Sequence, residues 1–228
     1  MEELFIYYGT AIIGFIIVLF AQISINSNYS KYKKVKLNKD MTGQEIARKI
    51  LDANGLQNVY VVETKGDLSD HYDPKRKVVR LSTAIYNGNT IAGASVAAHE
   101  VGHAIQDKEG YSFMRIRTAL VPVVNFVSYL GYIGLVISIF AGITGYLKIS
   151  ILIILATILF QLVTLPVEFN ASKRAKEQLL SLGLIDTDEH KGVSKMLFAA
   201  AMTYVASLLS NLLQLLRLVL ILGSRSDD

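Results

Sequence analysis

Residues 4–25 form 22 positions without Asp, Glu, Lys, Arg or His, and this run constrains the fold more than any other feature. As a helix it rises about 33 Å, enough to cross a hydrocarbon core of about 30 Å. A cleavable secretory signal would begin with basic residues and stop sooner; this run follows Glu2 and Glu3 and reads as an uncleaved anchor. Composition agrees: 52% of residues are hydrophobic, 18% are charged and mean hydropathy is +0.39, an oily balance for a globular domain.

The net charge of +4 invites a nucleic-acid reading, but the distribution of the charge argues otherwise. Lys31, Lys33, Lys34, Lys36 and Lys39 follow the first apolar run, and no Lys or Arg precedes it. That asymmetry predicts an N-terminus outside the cell and residues from 31 onward in the cytoplasm. The lysines then face anionic lipid, and no nucleic-acid partner is expected.

Residues 26–118 have the texture of a soluble subdomain, with charges, Gly and Asn throughout, on the cytoplasmic side. Thr42 and Glu45 have the spacing of a capping box, and Ile46, Ile50 and Leu51 recur at helical spacing up to Gly55. Two β-branched stretches, 59–63 and 77–81, predict a small sheet, with Asp73 and Pro74 as turn material between them. Stretch 77–81 is also a candidate edge strand for pairing with a peptide.

An Ala-rich helix is expected over 91–106. Apolar stretches 120–143 and 149–165 then predict a transmembrane hairpin, joined through Gly142, Gly145 and Lys148. A separate basic helix is expected over 166–182, with Pro166 as its first residue and Gly183 as its stop. A fourth span covers 197–222. The expected division is 1–25 anchor, 26–118 cytoplasmic subdomain, 119–166 hairpin, 167–196 helix and cytoplasmic loop, and 197–228 final span and tail. The fold class is therefore mainly α with a small β-sheet and about four transmembrane helices, in a multi-pass protein of the inner or plasma membrane.

Within the 91–106 helix, His99-Glu100-Val101-Gly102-His103 contains H-E-x-x-H. With four His and nine Glu in 228 residues, chance predicts about 0.003 such matches. Helical i, i+4 spacing puts both imidazoles on one face, where they can converge on one Zn²⁺ while Glu100 lies beside it as general base. The absence of cysteine removes thiolate sites, so any metal must take nitrogen and oxygen ligands.

A catalytic zinc normally has three protein ligands. His71 precedes the second expected strand and His190 lies in an acidic loop, so Glu168 is the better candidate. Two intervening spans return the chain to the face that carries the histidines. Asn211, Gln214 and Arg217 recur every three residues and suggest hydrogen bonds between membrane helices. Tyr204 reads more simply as an interfacial aromatic than as an oxyanion donor.

His99-Glu100-Val101-Gly102-His103, followed across the hairpin by Glu168-Phe169-Asn170-Ala171-Ser172, resembles the YugP-like family of bacterial membrane zinc metallopeptidases. The likeness extends to Asp70-His71-Tyr72-Asp73-Pro74 and to the last span. More distantly the chain is similar to the membrane gluzincins related to the HtpX and CAAX-processing proteases. The resemblance implies a minimal gluzincin-like core, one Zn²⁺ per chain held by His99, His103 and Glu168, and peptide or membrane-protein substrates cut at the cytoplasmic interface. Ser172 stands where the distant relatives carry an Asp that supports a ligand histidine. Membrane-protein partners or self-association stay open, and the alternative to an enzyme is a zinc-stabilised membrane scaffold or regulator without turnover. Cleavage inside the bilayer is disfavoured by Asp107, Lys108 and Glu109 immediately after the motif helix.

Overall fold

The computed structural model describes residues 8–66, 68–140 and 146–224. Among the described residues, seven helices and three strands follow in the order α1 (Thr10–Tyr32), α2 (Gly43–Ala53), β1 (Tyr60–Thr64), β2 (His71–Asp73), β3 (Val78–Ser82), α3 (Thr83–Tyr86), α4 (Ile91–Lys108), α5 (Ser112–Phe140), α6 (Tyr146–Ser181) and α7 (His190–Ser224). Four of them, α1, α5, α6 and α7, contain stretches long and apolar enough to cross a membrane. The fold class is thus mainly helical with a small sheet. The residues that join the hairpin, Gly142 and Gly145, and the start of the first apolar run lie outside the described residues.

Two compact units emerge from the packing. One comprises 1–22, 116–165 and 203–228; the other comprises 23–115 and 166–202. In the first, apolar side chains such as Phe15, Phe20, Phe126, Tyr129 and Leu159 are exposed along the helices. Asn211 donates from α7 to Gln161 Oε1 on α6 at 3.0 Å, the kind of interhelical bond its spacing suggests. Gln214 and Arg217 line a cavity of about 300 Å³ together with Thr10, Gly14 and Ser210.

The second unit is built around a dense apolar core. Ile46, Ile50 and Leu51 of α2 are fully buried against Val79 and Leu81 of β3, Ile85, and Ala97, Val101 and Ala104 of α4. Thr42 and Glu45 form the capping box that opens α2. Thr90 caps α4 by accepting from Gly93 N at 3.1 Å. From α6, Val167, Ala175 and Leu179 join the same core, as do Val193, Met196 and Leu197 of α7.

Several boundaries differ from expectation, each for a physical reason. The sheet has three strands in the order β1-β3-β2, and β3 is its centre. β1 pairs with β3 in parallel, Tyr60 opposite Val78, while β2 pairs antiparallel, Tyr72 opposite Val79. Residues 77–81 are therefore no edge: both sides of β3 are occupied, and the exposed edges belong to β1 and β2. Asp73, expected as turn material, ends β2 with its backbone, while its carboxylate accepts from the Lys75 and Arg76 amides of the turn. Three residues with one buried side chain, Tyr72, are too short for a periodic signal.

Residues 166–182 are not a separate helix either. α6 runs unbroken from Tyr146 to Ser181 with Pro166 inside it. A proline within a helix removes one hydrogen bond and costs about 3 kcal/mol. Here the continuation is anchored by Val167, Ala171, Ala175 and Leu179, all fully buried at helical spacing, so packing outweighs the local preference. α7 likewise begins at His190, before the expected start at 197, because Gly192 and Val193 already pack against the core: a Cβ at Gly192 would meet Tyr32 and Ile91 at about 3 Å.

Candidate metal centre

α4 is a helix of small residues on its buried side. Ala97, Ala98 and Ala104 keep its profile low, and Gly102 allows the backbone of α6 to approach: a Cβ there would lie 2.7 Å from Ala171 O. The close approach brings the histidine face of α4 against the part of α6 that carries Glu168.

His99 Nε2 lies 3.2 Å and His103 Nε2 3.8 Å from the same oxygen, Glu168 Oε2. One ligand atom from each of the three residues falls within 4.8 Å of the others. A tetrahedral zinc with bonds of about 2.0–2.2 Å separates its ligand atoms by about 3.3 Å. Two imidazoles and one carboxylate with that spacing are a donor set that suits zinc, and the residues fit the ion. The two rings stand nearly perpendicular, 83° apart, with centroids 4.8 Å from each other. Ser172 Oγ is 3.3 Å from His99 Nδ1.

Glu168 is itself deeply buried, at 3% exposure, and lies well inside α6. It is therefore far from a helix N-terminus, where it would lie if Pro166 opened a separate helix. His71 opens β2 and donates from Nδ1 to Ser69 O at 2.8 Å; His190 opens α7, with Nε2 3.4 Å from Ser194 Oγ. Neither belongs to the cluster of His99, His103 and Glu168. Tyr204 falls on α7 in the other unit.

Glu100 is buried between α4 and the sheet. Burial pushes its carboxyl up to about 7; the neighbouring His99 opposes this, Glu168 and Asp70 add to it, and a hydrogen bond from the Tyr72 backbone N–H again opposes it. β2 thus touches the site through its main chain. Asp70 in turn accepts from Ser82 N at 2.7 Å and Ser82 Oγ at 3.2 Å, tying the start of β2 to the end of β3. Burial raises the Asp70 carboxyl above the usual carboxylate range, and the Ser82 bonds hold the rise back.

A further residue is absent from the sequence reading. Gln106, three positions beyond His103, is fully buried, with Oε1 3.0 Å from His103 Nδ1. Its Nε2 donates across to α6, to Val167 O at 2.8 Å and Asn170 Oδ1 at 2.9 Å. Its i+3 spacing from His103 was the available signal, since it puts the amide on the imidazole's side of the helix.

The family model described as "Putative neutral zinc metallopeptidase" matches residues 7–223. The chain belongs to this family. It is also 45% identical over 225 residues, covering 99% of both chains, to the "Putative membrane protease YugP" of Bacillus subtilis (strain 168). No solved structure matches it. The resemblance drawn from the H-E-x-x-H segment and the residues after Glu168 therefore holds over nearly the whole of this zinc metallopeptidase-family chain.

Proposed function

We propose that this protein is an integral-membrane, zinc-dependent endopeptidase that hydrolyses peptide bonds in peptides or membrane-protein segments at the cytoplasmic surface of the bilayer. The observation that carries the reading is the convergence of His99, His103 and Glu168 beside the buried carboxyl of Glu100. His99, His103 and Glu168 would hold one Zn²⁺ per chain. When bound, zinc supplies Lewis-acid chemistry, polarising an oxygen and making water acidic enough to react near neutral pH.

The chain's own part is proton management and orientation. Glu100 takes the proton from the attacking water as the new C–O bond forms, then delivers it to the leaving amine as the C–N bond breaks. The Tyr72 N–H holds that carboxyl in place. Ser172 supports His99 from behind. The lysines after α1, with Lys173 and Lys176 after Glu168, support a cytoplasmic site in the inner or plasma membrane and an N-terminus outside.

The test is metal analysis of the purified chain and of His99→Ala and Glu168→Ala, alongside proteolysis by Glu100→Gln. Zinc near one equivalent is expected in the parent and in Glu100→Gln, with losses in the two ligand variants. Glu100→Gln should lower turnover by about 10²–10⁴-fold. Zinc retention without turnover on peptides and membrane-protein fragments would favour a zinc-stabilised scaffold instead.

A further inference from the structure

The donor and acceptor roles around Gln106 can be assigned from fixed points. Arg174 has no acceptor, and its Nε lies 2.7 Å from Asn170 Oδ1, so that atom is the amide oxygen. Arg174 is held at its far end by Glu109 Oε2 at 2.6 Å. Val167 O is a main-chain carbonyl and can only accept. The Gln106 amide nitrogen, facing both Val167 O and Asn170 Oδ1, must therefore be the donor. Its oxygen is left facing His103 Nδ1 at 3.0 Å, and an amide oxygen only accepts. The hydrogen must sit on His103 Nδ1, which in the neutral ring leaves the lone pair on Nε2, the atom nearer Glu168.

The same side chain also grips α6 on both sides of Glu168, at Val167 and Asn170. We propose that Gln106 is the positioning residue of this centre: one buried amide that holds His103 in its Nδ1–H tautomer and sets the register of the Glu168 helix against the histidine helix. Breaking it removes the acceptor that faces a buried imidazole nitrogen and one donor to a buried carbonyl while altering neither proposed ligand. The inference rests on the metal site proposed above.

The chain contains four histidines, so ¹⁵N-histidine labelling of the full-length, metal-free protein in detergent gives a readable spectrum, with His103 assigned from its loss in His103→Asn. The expected signature at His103 is Nδ1–H. Gln106→Leu and Asn170→Leu should lose it, and should weaken zinc binding about 10–100-fold in chelator competition. Asn170→Asp keeps the acceptor for both Gln106 and Arg174 and should retain the tautomer and the parental zinc affinity, which a general packing role would not predict. A bare Nδ1 at His103 in the parent, with the hydrogen on Nε2 alone, would overturn the inference. So would unchanged tautomer and affinity in Gln106→Leu, or equal damage by Asn170→Asp and Asn170→Leu. If Gln106→Leu does not fold, the half-buried Asn170 pair decides. Absence of zinc binding by the parent sinks the metal site, while the tautomer, read without metal, still decides the role of Gln106.

Discussion

Gly102 occupies a position that the H-E-x-x-H pattern leaves unspecified, yet the contact between α4 and α6 depends on it. A methyl group there would press against Ala171 O at 2.7 Å, a main-chain atom that cannot swing aside. Gly102→Ala should cost about 1–3 kcal/mol in stability and weaken zinc binding by moving His99 and His103 away from Glu168; a melt and a chelator titration check the two effects together. At the start of α2, the Glu45 carboxyl is held below its usual range by the backbone N–H and then the hydroxyl of Thr42. A lowered carboxyl contributes stability that is complete above its unfolded value of 4.5 and is lost as pH falls through the lower folded value. Glu45→Gln should therefore flatten the acid limb of the stability curve, modestly because the group is exposed, and Thr42→Ala should cost about 1 kcal/mol at neutral pH. His99, Glu100 and His103 were legible because helical spacing alone carries them to one face. Gln106 was not, since an amide has no charge or reactivity to mark it, and its importance arises from atoms 61 and 64 positions away.

At the scale of elements, the short β2 strand depends on its turn. Lys77 holds φ of +52°, a left-handed conformation, while its Nζ lies 2.6 Å from Asp107 Oδ2 on a half-exposed surface. Left-handed backbone costs a non-glycine residue about 1–2 kcal/mol, whereas an exposed ion pair returns about 0–1 kcal/mol. Lys77→Gly should thus raise stability slightly, by up to about 1 kcal/mol, seen as a higher melting temperature. Asp73→Ala, which strips two turn amides of their acceptor, should do the opposite and loosen β2, readable as faster amide exchange at Tyr72. The capping box of α2 and the start of α4 were readable from local chemistry. β2 was not, because pairing to β3 makes it a strand and its own three residues do not. The continuous α6 shows the same effect in a helix: Pro166 is a reasonable local stop signal, and the buried row from Val167 to Leu179 overrides it.

For the whole molecule, metal and fold should be coupled, since the proposed ligands come from two helices and lie 65 residues apart in the chain, His103 to Glu168. Zinc removal is expected to expose the region around His99 to limited proteolysis; equal resistance with and without chelator would count against the coupling. Orientation can be read directly because the chain has no cysteine of its own. Lys36→Cys and Lys176→Cys should react with an impermeant maleimide only when the cytoplasmic face is opened, and labelling of intact cells would reverse the proposed topology. Amino-acid order by itself determined the helices long and apolar enough to span a membrane and the paired histidines, because run length and helical spacing are local properties. It also ranked Glu168 above the other carboxylates, through the parity of the spans. Tertiary structure alone decided that β3 is the sheet's centre, that α6 passes through Pro166, and that Gln106 joins His103 to the main chain beside Glu168. Those outcomes depend on which distant backbone atoms lie within hydrogen-bond or packing range, and only the folded chain sets those distances.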